Sequence, residues 1–206
     1  MKKHIIFDLD GTLINSLPIM EKAWKVVTNT FNLNISFYEY KKYTGLPFDT
    51  IMNKLGLSSI GDEIKKVYFN ETKKRSKEIK LIKGAKELIL FLNKKEYLIS
   101  IITSKPRKSF QGIKHLVPKC IDLVLCGDDT NFNKPDKNLI NYLLSQYPNK
   151  TSNLTYIGDT IFDLQFSINA NINFIFFNDN EKNKLPKNLI NKVKTVDKLS
   201  KIQYIL

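Results

Sequence analysis

Long apolar runs are missing from this chain. Nowhere do its 206 residues supply the roughly 20 consecutive apolar positions of a bilayer-spanning helix, so no membrane partner is expected. Cysteine is scarce: only Cys120 and Cys126 occur, and neither sits in a metal-type cluster, which fits a reducing cytoplasm. Internal repeats are absent. Met1-Lys2-Lys3 is basic, but Asp8 and Asp10 break the stretch that follows, so no signal peptide is expected there. Acidic residues are also short, 20 against 33 Lys and Arg, leaving a net charge of +13. An excess of that size can serve a polyanion such as nucleic acid. Here the lysines are spread over pairs such as Lys41-Lys42, Lys65-Lys66 and Lys94-Lys95, with no basic arm and no interleaved aromatics. Solvated lysines explain that spread, and no specific nucleic-acid partner is expected.

What is present begins at residue 4. Ile5, Ile6 and Phe7 make a short apolar run suited to a strand buried on both faces. The run stops at Asp8-Leu9-Asp10-Gly11-Thr12. In an extended chain the two carboxylates, spaced i and i+2, point to one side, and Gly11 lets the backbone leave at a sharp angle. Acids at the carboxyl end of a strand stand where open α/β sheets bind ligands. A calcium loop would need further oxygen ligands and a closing acid, which Leu13 to Leu17 does not supply.

Along the rest of the chain, Leu17, Met20, Trp24, Val27 and Phe31 recur at helical spacing, with Pro18 in the first turn. Ser36 can cap a second helix, Pro47 can open a third that ends near Gly56, and Asp62 to Ile79 reads as a fourth. The spacing therefore predicts a small helical bundle over 17–80, inserted directly after the first strand. Beyond Gly84, helices at 85–95, 106–116, 135–147 and 161–169 alternate with strands at 97–103, 123–126, 154–157 and 173–177. That rhythm implies an α/β fold, a doubly wound parallel sheet of Rossmann-like type, formed by residues 1–16 and 81–206. A polar loop is expected over 178–187, and Leu199, Ile202 and Ile205 mark a short docking helix in the tail.

Polar residues follow the later strands. Thr103-Ser104-Lys105-Pro106 places hydroxyls before a helix start, a ready phosphate site. Lys134 precedes Pro135, which is read as setting a helix start and so the direction of the lysine. Gly158-Asp159-Thr160-Ile161-Phe162-Asp163 puts two acids four residues apart at another helix start.

Taken together, Asp8-Leu9-Asp10-Gly11-Thr12, Thr103-Ser104, Lys134-Pro135 and Gly158-Asp159 with Asp163 resemble, in order, the four motifs of the haloacid dehalogenase-like hydrolases. The stretch from Thr103 to Arg107 is similar to that of phosphoglycolate phosphatase-like members, which usually carry Asn where Ser104 stands. The resemblance implies a helical cap over a Rossmann-like core. It implies a phosphatase acting on a small phosphorylated metabolite such as phosphoglycolate, pyrophosphate or a sugar phosphate. In that reading Asp8 is the nucleophile and Asp10 the general acid and base. Thr103, Ser104 and Lys134 hold the phosphoryl group. Mg²⁺ is bound by Asp8, the Asp10 carbonyl and Asp159, while Asp163 orients Lys134 or a metal-bound water. Gly45, Leu46 and Pro47, between two helices of the insertion, match the family's substrate-facing loop. An acid at Asp10 favours phosphate over halide chemistry, because halide leaves without a proton. Two other readings stand beside this one: a β-phosphoglucomutase-like transferase, and a basic polyanion-binding protein with a relic site. A monomer or homodimer is expected.

Overall fold

The computed structural model describes residues 2–179, 185–186, 189 and 193–206. Strand β1 (His4–Phe7) sits in the middle of a six-stranded sheet, with all four residues buried. Its alternation divides the core. Ile5 and Phe7 pack on one face, among Ala85, Leu88 and Leu92, while Ile6 packs on the other, with Leu139, Leu143 and Phe166. Apolar residues at both parities are what a strand covered on both faces requires.

After β1 the chain makes a two-residue strand, β2 (Ile14–Asn15), and then four helices: α1 (Leu17–Thr30), α2 (Phe37–Lys41), α3 (Phe48–Lys54) and α4 (Gly61–Lys74). These helices bury a cluster of their own around Trp24, Val27, Tyr40, Met52, Ile64 and Tyr68. Ser36 caps α2 with a full capping box, accepting from the Glu39 N–H while Glu39 reaches back to the Ser36 N–H. The fourth helix is shorter than the expected 62–79. It ends at Lys74, and a 3-10 turn covers Ser76–Glu78. No apolar residue occurs between Glu71 and Ile79, so nothing holds that stretch against the bundle.

The chain returns through β3 (Lys80–Leu81), which pairs antiparallel with β2, Ile14 opposite Leu81 and Asn15 opposite Lys80. Periodicity gives no warning of strands this short. Then come α5 (Ala85–Lys94), β4 (Leu98–Ile102), α6 (Arg107–Gln111), β5 (Leu123–Leu125), α7 (Asn138–Gln146), β6 (Leu154–Gly158), α8 (Ile161–Asn169), β7 (Asn173–Phe177) and β8 (Lys194–Val196). The sheet order is β5-β4-β1-β6-β7-β8, and every pairing in it is parallel. Helices α5 and α6 cover one face, α7 and α8 the other. The fold is therefore α/β and Rossmann-like.

Two further helix boundaries differ from the sequence reading. Helix α6 stops before Gly112, a poor helix residue, and resumes only as a 3-10 turn at Lys114–Leu116. Helix α7 begins at Asn138 and not at Pro135, because the Asp136 carboxylate accepts the Asn138 N–H at 2.9 Å and holds a turn there. Strand β8 was not anticipated. The tail does dock, as a 3-10 helix over Leu199–Tyr204 that buries Leu199 and Ile202 against the α5 side. The polar loop expected over 178–187 lies largely outside the described residues.

Candidate active site

The carboxyl ends of β1, β4 and β6 converge, and the acids stand at their tips. Asp8, immediately past β1, is 4% exposed, and its backbone N–H bonds the Ile157 carbonyl of β6 at 2.8 Å. Gly11 follows with φ of +91°. A Cβ there would lie 2.3 Å from Asp159 Oδ2, so only glycine lets the β1 turn pass under the β6 acid. Thr12, fully buried, donates to Asp159 Oδ1 at 3.2 Å.

Lys134 organises the floor. Its ammonium, 3% exposed as a residue, donates to Asp8 Oδ1 at 2.6 Å, to Asp163 Oδ1 at 2.7 Å and to Tyr156 Oη at 3.1 Å. Asp163 is fixed from the other side by its role in capping α8. Its Oδ2 accepts from the Thr160 N–H at 3.0 Å and from Thr160 Oγ1 at 2.6 Å, while Thr160 Oγ1 accepts from the Asp163 N–H at 3.2 Å. Tyr156 has one proton for two acceptors, the Ile102 carbonyl at 3.1 Å and Asp163 Oδ1 at 3.2 Å. Lys134 is thus fixed by three oxygens from three segments of chain.

Charge is concentrated where water is scarce. Burial pushes the Asp8 carboxyl up to about 7; Lys134 pulls it down, and Asp163 and Asp10 push it further up. Asp159 is held well above the usual carboxylate range by burial and then by the charges of Asp8 and Asp163. Burial alone would lower the Lys134 ammonium, yet the Asp163 and Asp8 carboxylates outweigh it and hold the group well above its ordinary value.

Oxygens of Asp8, Asp159 and Asp163 lie within 4.8 Å of one another. Asp163 is tied into the floor by Lys134 and Thr160, whereas Asp8 and Asp159 line the cleft and are the acids of this group that face a cation there. An all-oxygen pair of buried carboxylates, each raised by burial and by its acidic neighbours, suits a hard divalent ion. The residues present therefore fit Mg²⁺.

Above this floor is a cleft of about 810 Å³, part of it open to solvent. Asp8, Asp10, Thr103, Ser104 and Asp159 line it from the sheet side, and Gly45 and Leu46 from the helical side. Asp10 pairs with Lys105, whose Nζ lies 3.1 Å from Oδ1. Ser104 donates its hydroxyl to the Gly45 carbonyl at 2.6 Å, so it spans the two sides. Pro47 does not line the cleft; it precedes α3 as its N-cap. Sequence reasoning did not single out Thr12, Lys105 or Tyr156 individually. Thr12 and Lys105 sat inside quoted motifs. Tyr156 reads as one more apolar residue of β6, and only its hydroxyl, invisible to a hydropathy pattern, carries the signal.

A parallel sheet with acids and a buried lysine at its carboxyl edge defines a Rossmann-like hydrolase core. Residues 5–177 match the family described as haloacid dehalogenase-like hydrolase, and the chain belongs to that family. A phosphorylated carbohydrates phosphatase of Thermotoga maritima is 26% identical over 147 residues, covering 68% of this chain and 67% of that protein. A phosphoglycolate phosphatase of Vibrio vulnificus is 24% identical over 182 residues, covering 82% of this chain and 80% of that protein. A hydrolase structure from Pseudomonas syringae superposes with a TM-score of 0.86 at 18% identity, over 100% of this chain and 98% of that one; this likeness concerns the fold.

Proposed function

We propose that the protein is a Mg²⁺-dependent phosphatase that hydrolyses a small phosphorylated metabolite through an aspartyl-phosphate on Asp8. The observation that carries this reading is the buried Lys134 bridging Asp8 and Asp163 beneath a cleft that Asp10 also lines. Lys134 orients the Asp8 carboxylate and adds positive charge where phosphoryl oxygens would gather. Asp8 attacks phosphorus, and the ester oxygen leaves with a proton from Asp10. Asp10 then takes a proton from the water that cleaves the acyl-phosphate, and Asp8 is regenerated. Lys105 holds the Asp10 side chain in place for both steps. Thr103 binds a phosphoryl oxygen at the tip of β4. Ser104 joins it when its hydroxyl leaves Gly45. Asp8, the Asp10 carbonyl and Asp159 would hold Mg²⁺, which would supply positive charge against two carboxylates and an incoming dianion. Asp163 acts through Lys134.

In this reading residues 17–80 form a cap and residues 1–16 with 81–206 the core. The cap places Gly45 and Leu46 over the leaving group, and closure would shed water from the reacting centre. The sequence relatives named as phosphatases support hydrolysis. Phosphate release by the purified protein from a panel of phosphorylated metabolites tests it. Asp8→Asn should lower kcat by about 10³ or more, because it removes the attacking charge and keeps the shape. Retention of wild-type turnover would refute the covalent route. EDTA should abolish turnover, and Mg²⁺ should raise the melting temperature of the wild type but not of Asp159→Asn.

A further inference from the structure

The cleft has a second wall, built from the helical segment, and its chemistry differs from the floor. Tyr40 and Tyr68 stand there beside Phe48, Met20, Ile51 and Phe69. Two hydroxyls lining the cleft are buried and poorly satisfied: Ser16 Oγ has no hydrogen-bond partner among the described residues, and Tyr68 Oη stands beside the Tyr40 hydroxyl without making a well-formed hydrogen bond. Tyr68 is 3% exposed and Ser16 2%. Ser16 occupies the N-cap position of α1, yet its side chain makes no capping bond. A buried polar group without a partner costs stability unless something supplies the missing bond. Burial, chiefly, holds both phenols above their usual range; the neighbouring Tyr40 raises Tyr68 further, and Asp10 adds a smaller push to both, so both remain neutral hydroxyls.

Cations are the other half of the argument. Among the described residues that line the cleft, Lys105 is the only one with a positive side chain, and Asp10 already holds it at 3.1 Å. A leaving group bearing a carboxylate or a second phosphate would therefore face Asp8, Asp10 and an aromatic wall, with no cation free to receive it. Losing water there without a counter-charge disfavours such a group. An apolar body with one or two neutral polar groups meets the wall on its own terms.

We propose that the substrates are phosphate monoesters of neutral, mainly apolar alcohols, selected by hydrogen bonds to Tyr68 Oη and Ser16 Oγ. This rests on the phosphatase reading and narrows its substrate class. Benzyl phosphate, 4-(hydroxymethyl)benzyl phosphate, 2-phosphoglycolate and pyrophosphate serve as probes, assayed by phosphate release from the Mg²⁺-loaded full chain. The two neutral esters should exceed the two anionic substrates in kcat/KM by about tenfold or more, and the hydroxymethyl ester should lead. Tyr68→Phe should reduce the preference for the hydroxymethyl ester over benzyl phosphate by about fivefold, through KM and not kcat. Ser16→Ala offers the same test at the second hydroxyl. Met20→Arg, which adds a cation to the wall, should raise 2-phosphoglycolate turnover relative to benzyl phosphate. Anionic substrates equal to or better than the neutral esters would overturn the inference and leave the phosphatase reading standing. An unchanged ester preference in both hydroxyl variants would do the same. Failure to release phosphate from any of the four probes or from the metabolite panel would overturn both.

Discussion

At the scale of single residues, Lys134 carries more than any other side chain. It lies between Asp163 and Asp8, opposes the rise that burial imposes on the Asp8 carboxyl, and sets the direction of Asp8. Lys134→Met keeps the length and removes the charge. Two buried acids then lose their counter-ion, so stability should fall by about 3–5 kcal/mol in urea denaturation. Phosphatase turnover should fall by about 10² or more in the same protein. A variant as stable as the wild type would show that Asp8 and Asp163 do not depend on this ammonium. The sequence made the lysine visible only through its place among motifs, since 33 Lys and Arg give no other means of choosing it. Asp8, Asp10 and Asp159 were legible for a firmer reason: each stands at the end of an apolar strand and close to a glycine, Gly11 for the first two and Gly158 for the third. Tyr156 was not legible, because the bonds that define it come from Lys134, Asp163 and Ile102, which are remote or on other elements.

At the scale of elements, the loop between α2 and α3 is held by contacts that leave it little latitude. Gly45 has φ of +100°, and a Cβ there would lie 2.8 Å from Thr160 Oγ1, the hydroxyl that caps α8. The Gly45 carbonyl receives the Ser104 hydroxyl on the opposite side of the cleft. Gly45→Val strains the backbone, crowds Thr160 and draws the carbonyl away from Ser104. Phosphatase kcat/KM should fall by about tenfold or more, and thermal stability should drop modestly with it. Equal kcat/KM in variant and wild type would remove the loop from the substrate argument. The long elements could be read from periodicity because each buries one stripe or two faces. The ribbon of β2 and β3 and the strand β8 could not, since two or three residues cannot display a period. Helix ends were less legible than helix centres: Gly112, Asp136 and the apolar gap after Glu71 decide them, and each acts through local bonding or missing packing.

At the scale of the whole molecule, one buried histidine ties folding to pH. His4 lies in the central strand, fully buried, with Nε2 2.8 Å from Ser100 Oγ. Burial pushes its imidazole down from 6.5 to about 4, against the pull of Asp122. The unfolded chain therefore takes up a proton that the folded one refuses. Stability from this residue is complete above pH 6.5, declines between 6.5 and 4, and is gone below. The loss should be about 3 kcal/mol. Urea midpoints for the wild type and His4→Asn across that interval isolate the effect, because the raised carboxyls of Asp8 and Asp159 contribute to both proteins alike. Parallel curves would show that His4 does not titrate on unfolding.

The paired strands β2 and β3 have a consequence of a different kind. The helical segment leaves the sheet at Asn15 and re-enters at Lys80, and those two residues are ladder partners. Entry and exit are thus side by side, like the two pins of a plug. Because entry and exit close on each other, the length of the segment between them places no demand on the spacing of β1, β4 and β6. In the proposed reading the acids at the strand tips belong to one part of the chain and the wall facing them to another, joined along the chain only through this ribbon.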